Sequence, residues 1–194
     1  EKKIPFDIDS FNKITRGGFS TKTLNILLAG TGVGKSLTMC SFAASNLSMG
    51  FKVLYITLEM SEERVAERID ANLLETNIGD LESLLKTSYN RKIERMKESV
   101  KGQLIIKEYP TAAANTTHFR SLIDELKMKK NFVPDIIYID YLNIASSARM
   151  RMSNSINSYT YVKSIAEELR GLAVEYGIPV MTATQTNRTG FVNS

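Results

Sequence analysis

Short runs of aliphatic and β-branched residues alternate along the chain with longer segments whose apolar positions recur at helical spacing. The first run, Leu24-Asn25-Ile26-Leu27-Leu28-Ala29, reads as a buried strand leading through a glycine-rich turn into a helix that reaches Met49. Gly50 opens a second strand, Lys52–Leu58. Ser61 then stands where a helix cap is needed, with Glu62 and Glu63 in the first turn, where the helix dipole favours acids. Helical spacing fills about 62–76 and 80–100. A third strand is expected at Gln103–Lys107, ended by Pro110, and Thr116 or Thr117 can cap a helix running to about Lys129. Pro134 precedes the most apolar strand, Asp135–Asp140. Polar residues 146–158 read as a loop, a helix follows to about Tyr176, and a last strand is expected at Ile178–Ala183. Strands separated by helices predict an α/β fold: a mainly parallel sheet with helices on both faces. In such a sheet the strand C-termini share one edge, and ligands bind there.

Length and composition narrow this picture. The chain has 194 residues, the size of one domain, with 43% hydrophobic and 24% charged residues, as in ordinary globular proteins. No apolar run approaches the ~18 residues of a membrane helix, so no membrane partner is expected. A single cysteine, Cys40, excludes an internal disulfide framework; with a single histidine, His118, a Cys/His zinc site is excluded too. These features fit a reducing, cytoplasmic setting. The chain opens on Glu1-Lys2-Lys3 without a Met or a leader, which suggests a fragment. Twenty-five Lys and Arg against 21 Asp and Glu leave +4, compatible with nucleic-acid binding without demonstrating it. The basic stretch 86–107 reads as a solvated helix face, whereas 141–162 holds Arg149 and Arg151 and no acid.

The chemistry lies at the strand ends. Ala29-Gly30-Thr31-Gly32-Val33-Gly34-Lys35-Ser36 fits the phosphate-binding loop G-x-x-x-x-G-K-[ST], with Ala29 at the first glycine position. Its glycines let backbone amides turn toward a phosphate, and the following helix adds the partial positive charge of its N-terminus. Lys35 can reach the β- and γ-phosphates of ATP, and the Ser36 hydroxyl can ligate Mg²⁺. The phosphate-binding set is Thr31, Gly32, Val33, Gly34, Lys35, Ser36 and Leu37. Asp140 ends an apolar strand and can hold the metal through its water shell; otherwise it is a solvated strand-end carboxylate. Glu59 follows the second strand on the same edge and can activate water, or it can simply favour the next helix's dipole. Gln185 follows the last strand, where its amide can report on a γ-phosphate or merely begin a surface loop. Cys40, Met39 and the other methionines read as packing residues, His118 as a helix-start residue, and Tyr141 as packing or stacking.

Four segments in this order resemble the motor domain of DnaB-type hexameric replicative helicases, most closely those of T4-like bacteriophages. They are the phosphate loop, Tyr55-Ile56-Thr57-Leu58-Glu59-Met60, Ile136-Ile137-Tyr138-Ile139-Asp140-Tyr141-Leu142, and Ile178-Pro179-Val180 through Thr184-Gln185-Thr186-Asn187-Arg188. Ile4-Pro5-Phe6 through Gly17-Gly18 is similar to the family's lead-in to the first strand. The resemblance implies a RecA-like P-loop fold over 1–194 with strand order 3-2-4-5-1, cut before the strands that complete it and before the arginine finger. It also implies an N-terminal primase-interacting domain absent from this sequence. By the same resemblance Lys35, Glu59 and Gln185 are catalytic, and Ser36 and Asp140 hold Mg²⁺. Residues 146–158 and 187–194 start the two channel loops, which makes Arg149, Arg151, Asn187 and Arg188 candidate DNA contacts. The implied activity is ATP-dependent 5′–3′ translocation on single-stranded DNA and unwinding of forked DNA, by a homo-hexameric ring served by a primase and a helicase loader. A RecA-type recombination filament is the alternative. A small-molecule P-loop kinase is disfavoured, because neither an acceptor pocket nor an arginine-bearing lid is legible.

Overall fold

Successive residues of a strand face opposite sides of a sheet, so the fully apolar runs demand cover on both faces. The computed structural model describes residues 3–81, 86–150 and 158–185. Its strands are β1 (Leu24–Ala29), β2 (Lys52–Thr57), β3 (Gln103–Glu108), β4 (Ile136–Asp140) and β5 (Val180–Gln185). All pair in parallel in the order β1-β5-β4-β2-β3, which is the expected 3-2-4-5-1. The helices are α1 (Asp9–Thr15), α2 (Lys35–Ser48), α3 (Glu62–Leu73), α4 (Ile78–Leu81), α5 (Lys86–Ser99), α6 (Thr116–Lys130) and α7 (Ser158–Tyr176), with a 3-10 turn at Leu142–Ile144.

Period-two alternation sorts the core into two layers. Val53, Tyr55, Ile136, Tyr138 and Ala183 pack with Met39, Phe42 and Leu47 of α2 and Val65 and Ile69 of α3. Their neighbours Leu54, Ile56, Ile137, Ile139 and Val180 pack instead with Phe119 and Ile123 of α6 and Leu169 and Leu172 of α7. Burying one such aliphatic side chain contributes about 1.5–3 kcal/mol, so each layer is worth far more than any single loop contact. The Tyr55 and Tyr138 rings stack at 5.7 Å between β2 and β4. The Tyr138 hydroxyl donates to Asn46 of α2 at 2.6 Å, and the Asn46 amide donates to the Pro5 carbonyl at 2.9 Å. That buried link ties the N-terminal segment to the sheet. None of the described helices is long and apolar enough to cross a membrane.

Three details differ from the expectations. Asn115, not Thr116 or Thr117, caps α6: its side chain accepts from the Thr117 amide, and its own amide donates to His118 in a capping box. Among the basic residues, Lys92 is not simply solvated, because its ammonium donates to the Leu74 carbonyl and the Thr76 hydroxyl and pins α5 to the end of α3. The last strand starts at Val180 and continues to Gln185, which pairs with Ala29. Gln185 is therefore held by the sheet ladder and does not begin a free loop.

Candidate nucleotide-binding site

The loop between β1 and α2 departs from ordinary backbone at two glycines. Gly32 (φ 74°) and Gly34 (φ 93°) lie in the left-handed region, which a side-chain-bearing residue seldom adopts. Gly34 is also the N-cap of α2, and no acid occupies the first turn, so the partial positive charge of the helix end is left uncompensated. Lys35 is mostly buried, its ammonium 3.2 Å from the Gly30 carbonyl and 5.5 Å from the centre of the Tyr141 ring. Tyr141 thus packs beneath the lysine. Val33, by contrast, is 66% exposed and is not among the residues that line the cleft.

The β2–α3 turn is fixed from both sides. The Thr57 hydroxyl donates to the Met60 carbonyl at 2.8 Å and accepts from the Met60 amide at 3.0 Å. The Leu58 amide donates to the Asp140 carbonyl at 2.8 Å, and the Leu58 carbonyl accepts from the Thr111 hydroxyl at 2.9 Å. Glu59, between these anchors, projects from the strand edge with its side chain exposed. Ser61 caps α3 as expected, accepting from the Arg64 amide.

These elements enclose a cleft of about 390 Å³ lined by Thr31, Gly32, Gly34, Lys35, Ser36, Leu37, Glu59, Arg68 and Gln185. Arg68, one helical face along α3 from the turn, was not foreseen in the sequence. Its signal there is weak: one arginine in a helix crowded with charges. The backbone at Gln185 is held by Asn143, whose side-chain Oδ1 accepts from the Thr184 hydroxyl at 2.7 Å and from the Gln185 backbone amide at 3.3 Å.

Asp140 does not line the cleft but lies behind it, fully buried. One carboxylate oxygen accepts from Tyr55 at 3.0 Å, and Oδ1 has no hydrogen-bond partner. Burial pushes this carboxyl above its usual range; the Ser36 and Tyr55 hydroxyls hold it down, Glu59 pushes it up, and Arg68 lowers it. An orphaned buried oxygen beside Ser36 fits a divalent cation. Among the described residues no cluster of three His, Cys, Asp or Glu could hold a metal unaided. Cys40, whose thiol lies 3.7 Å from the Tyr55 hydroxyl, is pushed up to about 11 by burial and is a packing residue.

The raised Asp140 carboxyl has a testable consequence. Its neutral form is favoured by folding, so the contribution is greatest below the ordinary carboxylate range and is lost as pH rises through the raised value. Where the group ionises, its buried charge opposes folding unless a cation meets it. Asp140→Asn is expected to raise the metal-free melting temperature at pH 7. It should also remove any additional rise produced by adding Mg²⁺ with nucleotide. Calorimetry showing a lower metal-free midpoint for the variant would contradict this.

Of the candidate DNA contacts, Arg149 is exposed, in the segment after the 3-10 turn. Arg151, Asn187 and Arg188 lie outside the described residues.

Comparison with known proteins places this geometry among relatives. The family model of the DnaB-like helicase C-terminal domain matches residues 4–191. A DnaB-like replicative helicase of Enterobacteria phage T4 is 50% identical over 196 aligned positions, covering 100% of this chain and 41% of that protein. A probable plasmid replicative DNA helicase of Chlamydia psittaci is 29% identical, over 90% of this chain and 36% of its own length. The chain thus spans less than half the length of these curated relatives. A solved DnaB-like replicative helicase, described with its interactions with primase, superposes with a TM-score of 0.78 at 16% identity, over 100% of this chain and 45% of that one.

Proposed function

The chain belongs to the DnaB-like helicase C-terminal domain family, which implies nucleotide binding, and from that premise we propose that it is the ATP-hydrolysing motor of a replicative DNA helicase. The observation that carries the reading is the cleft itself: the phosphate loop, Glu59 and Gln185 converge on it, with Asp140 behind. The loop amides and the start of α2 receive the phosphates of ATP, with Lys35 on the β- and γ-phosphates. Ser36 and Asp140 would hold Mg²⁺, which supplies charge neutralisation to the phosphates when bound. Glu59 orients the attacking water and accepts its proton. Arg68 adds a positive charge on the γ-phosphate side of the cleft, where negative charge shifts during the reaction.

Gln185 contacts the γ-phosphate, and its loss on hydrolysis is passed through Asn143 to the segment after β4 and directly to the residues after β5. Those two segments begin the DNA-facing loops, with Arg149, Arg151, Asn187 and Arg188 as phosphate contacts that carry no sequence preference. The motor acts in a homo-hexameric ring that moves 5′ to 3′ on single-stranded DNA and opens forks, with a primase and a loader as partners. The T4 relative at 50% identity over the whole chain favours this over a recombination filament.

ATP hydrolysis by the intact protein should accelerate on adding single-stranded DNA, and the DNA concentration required should rise with salt. Hydrolysis indifferent to DNA, with phosphoryl transfer to a small acceptor, would favour a kinase and overturn the reading.

A further inference from the structure

Glu168 sits in the apolar run of α7, among Ile165, Leu169 and Leu172, with 3% of its surface exposed. A buried carboxylate is costly unless donors replace its water. Here they do. The carboxylate accepts from the Ser147 hydroxyl, from Ser164 at 3.3 Å, from Thr116 at 3.1 Å, and from the Ala148 and Arg149 amides at 2.8 and 3.4 Å. Burial works against the charge, but these donors together hold the carboxyl below its usual range. None of them lines the nucleotide cleft.

The donors come from three places: the start of α6, the segment 147–149 after the 3-10 turn, and α7 itself. Ser147 extends the clamp, accepting from the Arg149 and Met150 amides at 3.2 and 3.0 Å while its own amide donates to the Tyr161 hydroxyl at 3.2 Å. Ser146 donates from both its amide and its hydroxyl to the Ala114 carbonyl, at 2.8 and 2.9 Å. An exposed polar segment is thereby fixed at its backbone by a buried charge. The result is a second cleft, of about 320 Å³, where Arg149 meets Thr160, Lys163 and Ser164, with Glu167 at its side.

We propose that Glu168 is a positioning residue for DNA engagement: it seats residues 147–149 so that Arg149 and Lys163 together receive the phosphates of single-stranded DNA. This deepens the motor reading above and rests on it. Lys163 is the added contact. Glu168 touches neither nucleotide nor DNA and acts through the backbone it holds.

The test uses the intact protein with the Glu168→Gln variant, a fluorescent oligothymidylate as probe, and hydrogen exchange. A glutamine keeps the shape but turns an amide donor toward the donors at 148 and 149. Single-stranded DNA affinity should fall about tenfold, at the upper end of what residues coupled to a site without touching its ligand show. Exchange at Ala148 and Arg149 should quicken, while ATP affinity and DNA-free turnover stay within about twofold. Ser147→Ala, a gentler change in the same clamp, should weaken DNA binding about threefold, and it decides the matter if the glutamine variant does not fold. DNA affinity unchanged in the folded variants would overturn the proposal. So would parallel loss of DNA affinity and DNA-free turnover, which marks a merely structural role. If the unsubstituted protein failed to bind the probe, the motor reading would fall first and the proposal with it.

Discussion

Lys35→Ala is expected to reduce ATP turnover by at least about 10²–10³-fold, the effect of removing one aimed charge from a phosphoryl-transfer site. The lysine is mostly buried, held by the Gly30 carbonyl and the Tyr141 ring beside the first turn of α2. Apart from its bond to the Gly30 carbonyl, that side chain holds no backbone group in the described structure. Gly34 accepts from the Thr38 amide and hydroxyl, which secures the helix start independently. The variant should therefore fold with a melting temperature near that of the unsubstituted protein while losing affinity for the triphosphate. Titration calorimetry with a non-hydrolysable ATP analogue, alongside phosphate release, checks both parts. Normal turnover in a folded Lys35→Ala protein would remove the phosphate loop from the mechanism.

Glu59→Gln separates binding from chemistry. The turn that carries Glu59 is held by Thr57, Leu58 and Thr111, and not by the carboxylate itself. An amide of the same shape keeps the turn and the cleft wall but cannot take a proton. Turnover should fall about 10²–10⁴-fold, the usual contribution of a general base, with nucleotide affinity retained within a few fold. Single-turnover phosphate release against equilibrium binding makes the comparison. Rapid turnover in this variant would leave Glu59 as a helix-dipole acid and nothing more.

Much of the frame behind these expectations is legible in the chain because its signals are local. Apolar runs such as Ile136–Asp140 and Lys52–Thr57 can be satisfied only as interior parallel strands, and the phosphate-loop pattern names its own context of strand, turn and helix. The sheet order came from family resemblance, and the structure agrees with it. What escaped depends on residues distant in sequence. Gln185 belongs to the ladder because Ala29 lies opposite it, 156 positions earlier by numbering, and no local signal at 178–183 announces that. Arg68 reaches the cleft only because α3 packs beside α2. Glu168 is one acid among several on α7 until Thr116 and Ser147 are brought against it. The α6 cap shifted by one residue because Asn115 and His118 form a reciprocal pair that outcompetes a lone threonine.

A short path links the end of β5 to the segment after β4. Asn143 meets Gln185 at the end of β5 and stands in the 3-10 turn that follows Asp140. From there the chain runs directly to the segment clamped by Glu168. Under the proposed reading, this hydrogen-bonded path is how a change at the γ-phosphate reaches the segment that holds Arg149.

Under the proposed function, ATP hydrolysis in this cleft drives strand separation. The most direct measurement is displacement of a labelled strand from a forked DNA by the intact protein, with ATP, with a non-hydrolysable analogue, and with the Glu59→Gln variant. Displacement is expected with the unsubstituted protein and ATP, and none in the other two. Failure of the unsubstituted protein to displace the strand with ATP, or equal displacement when hydrolysis is blocked, would contradict it.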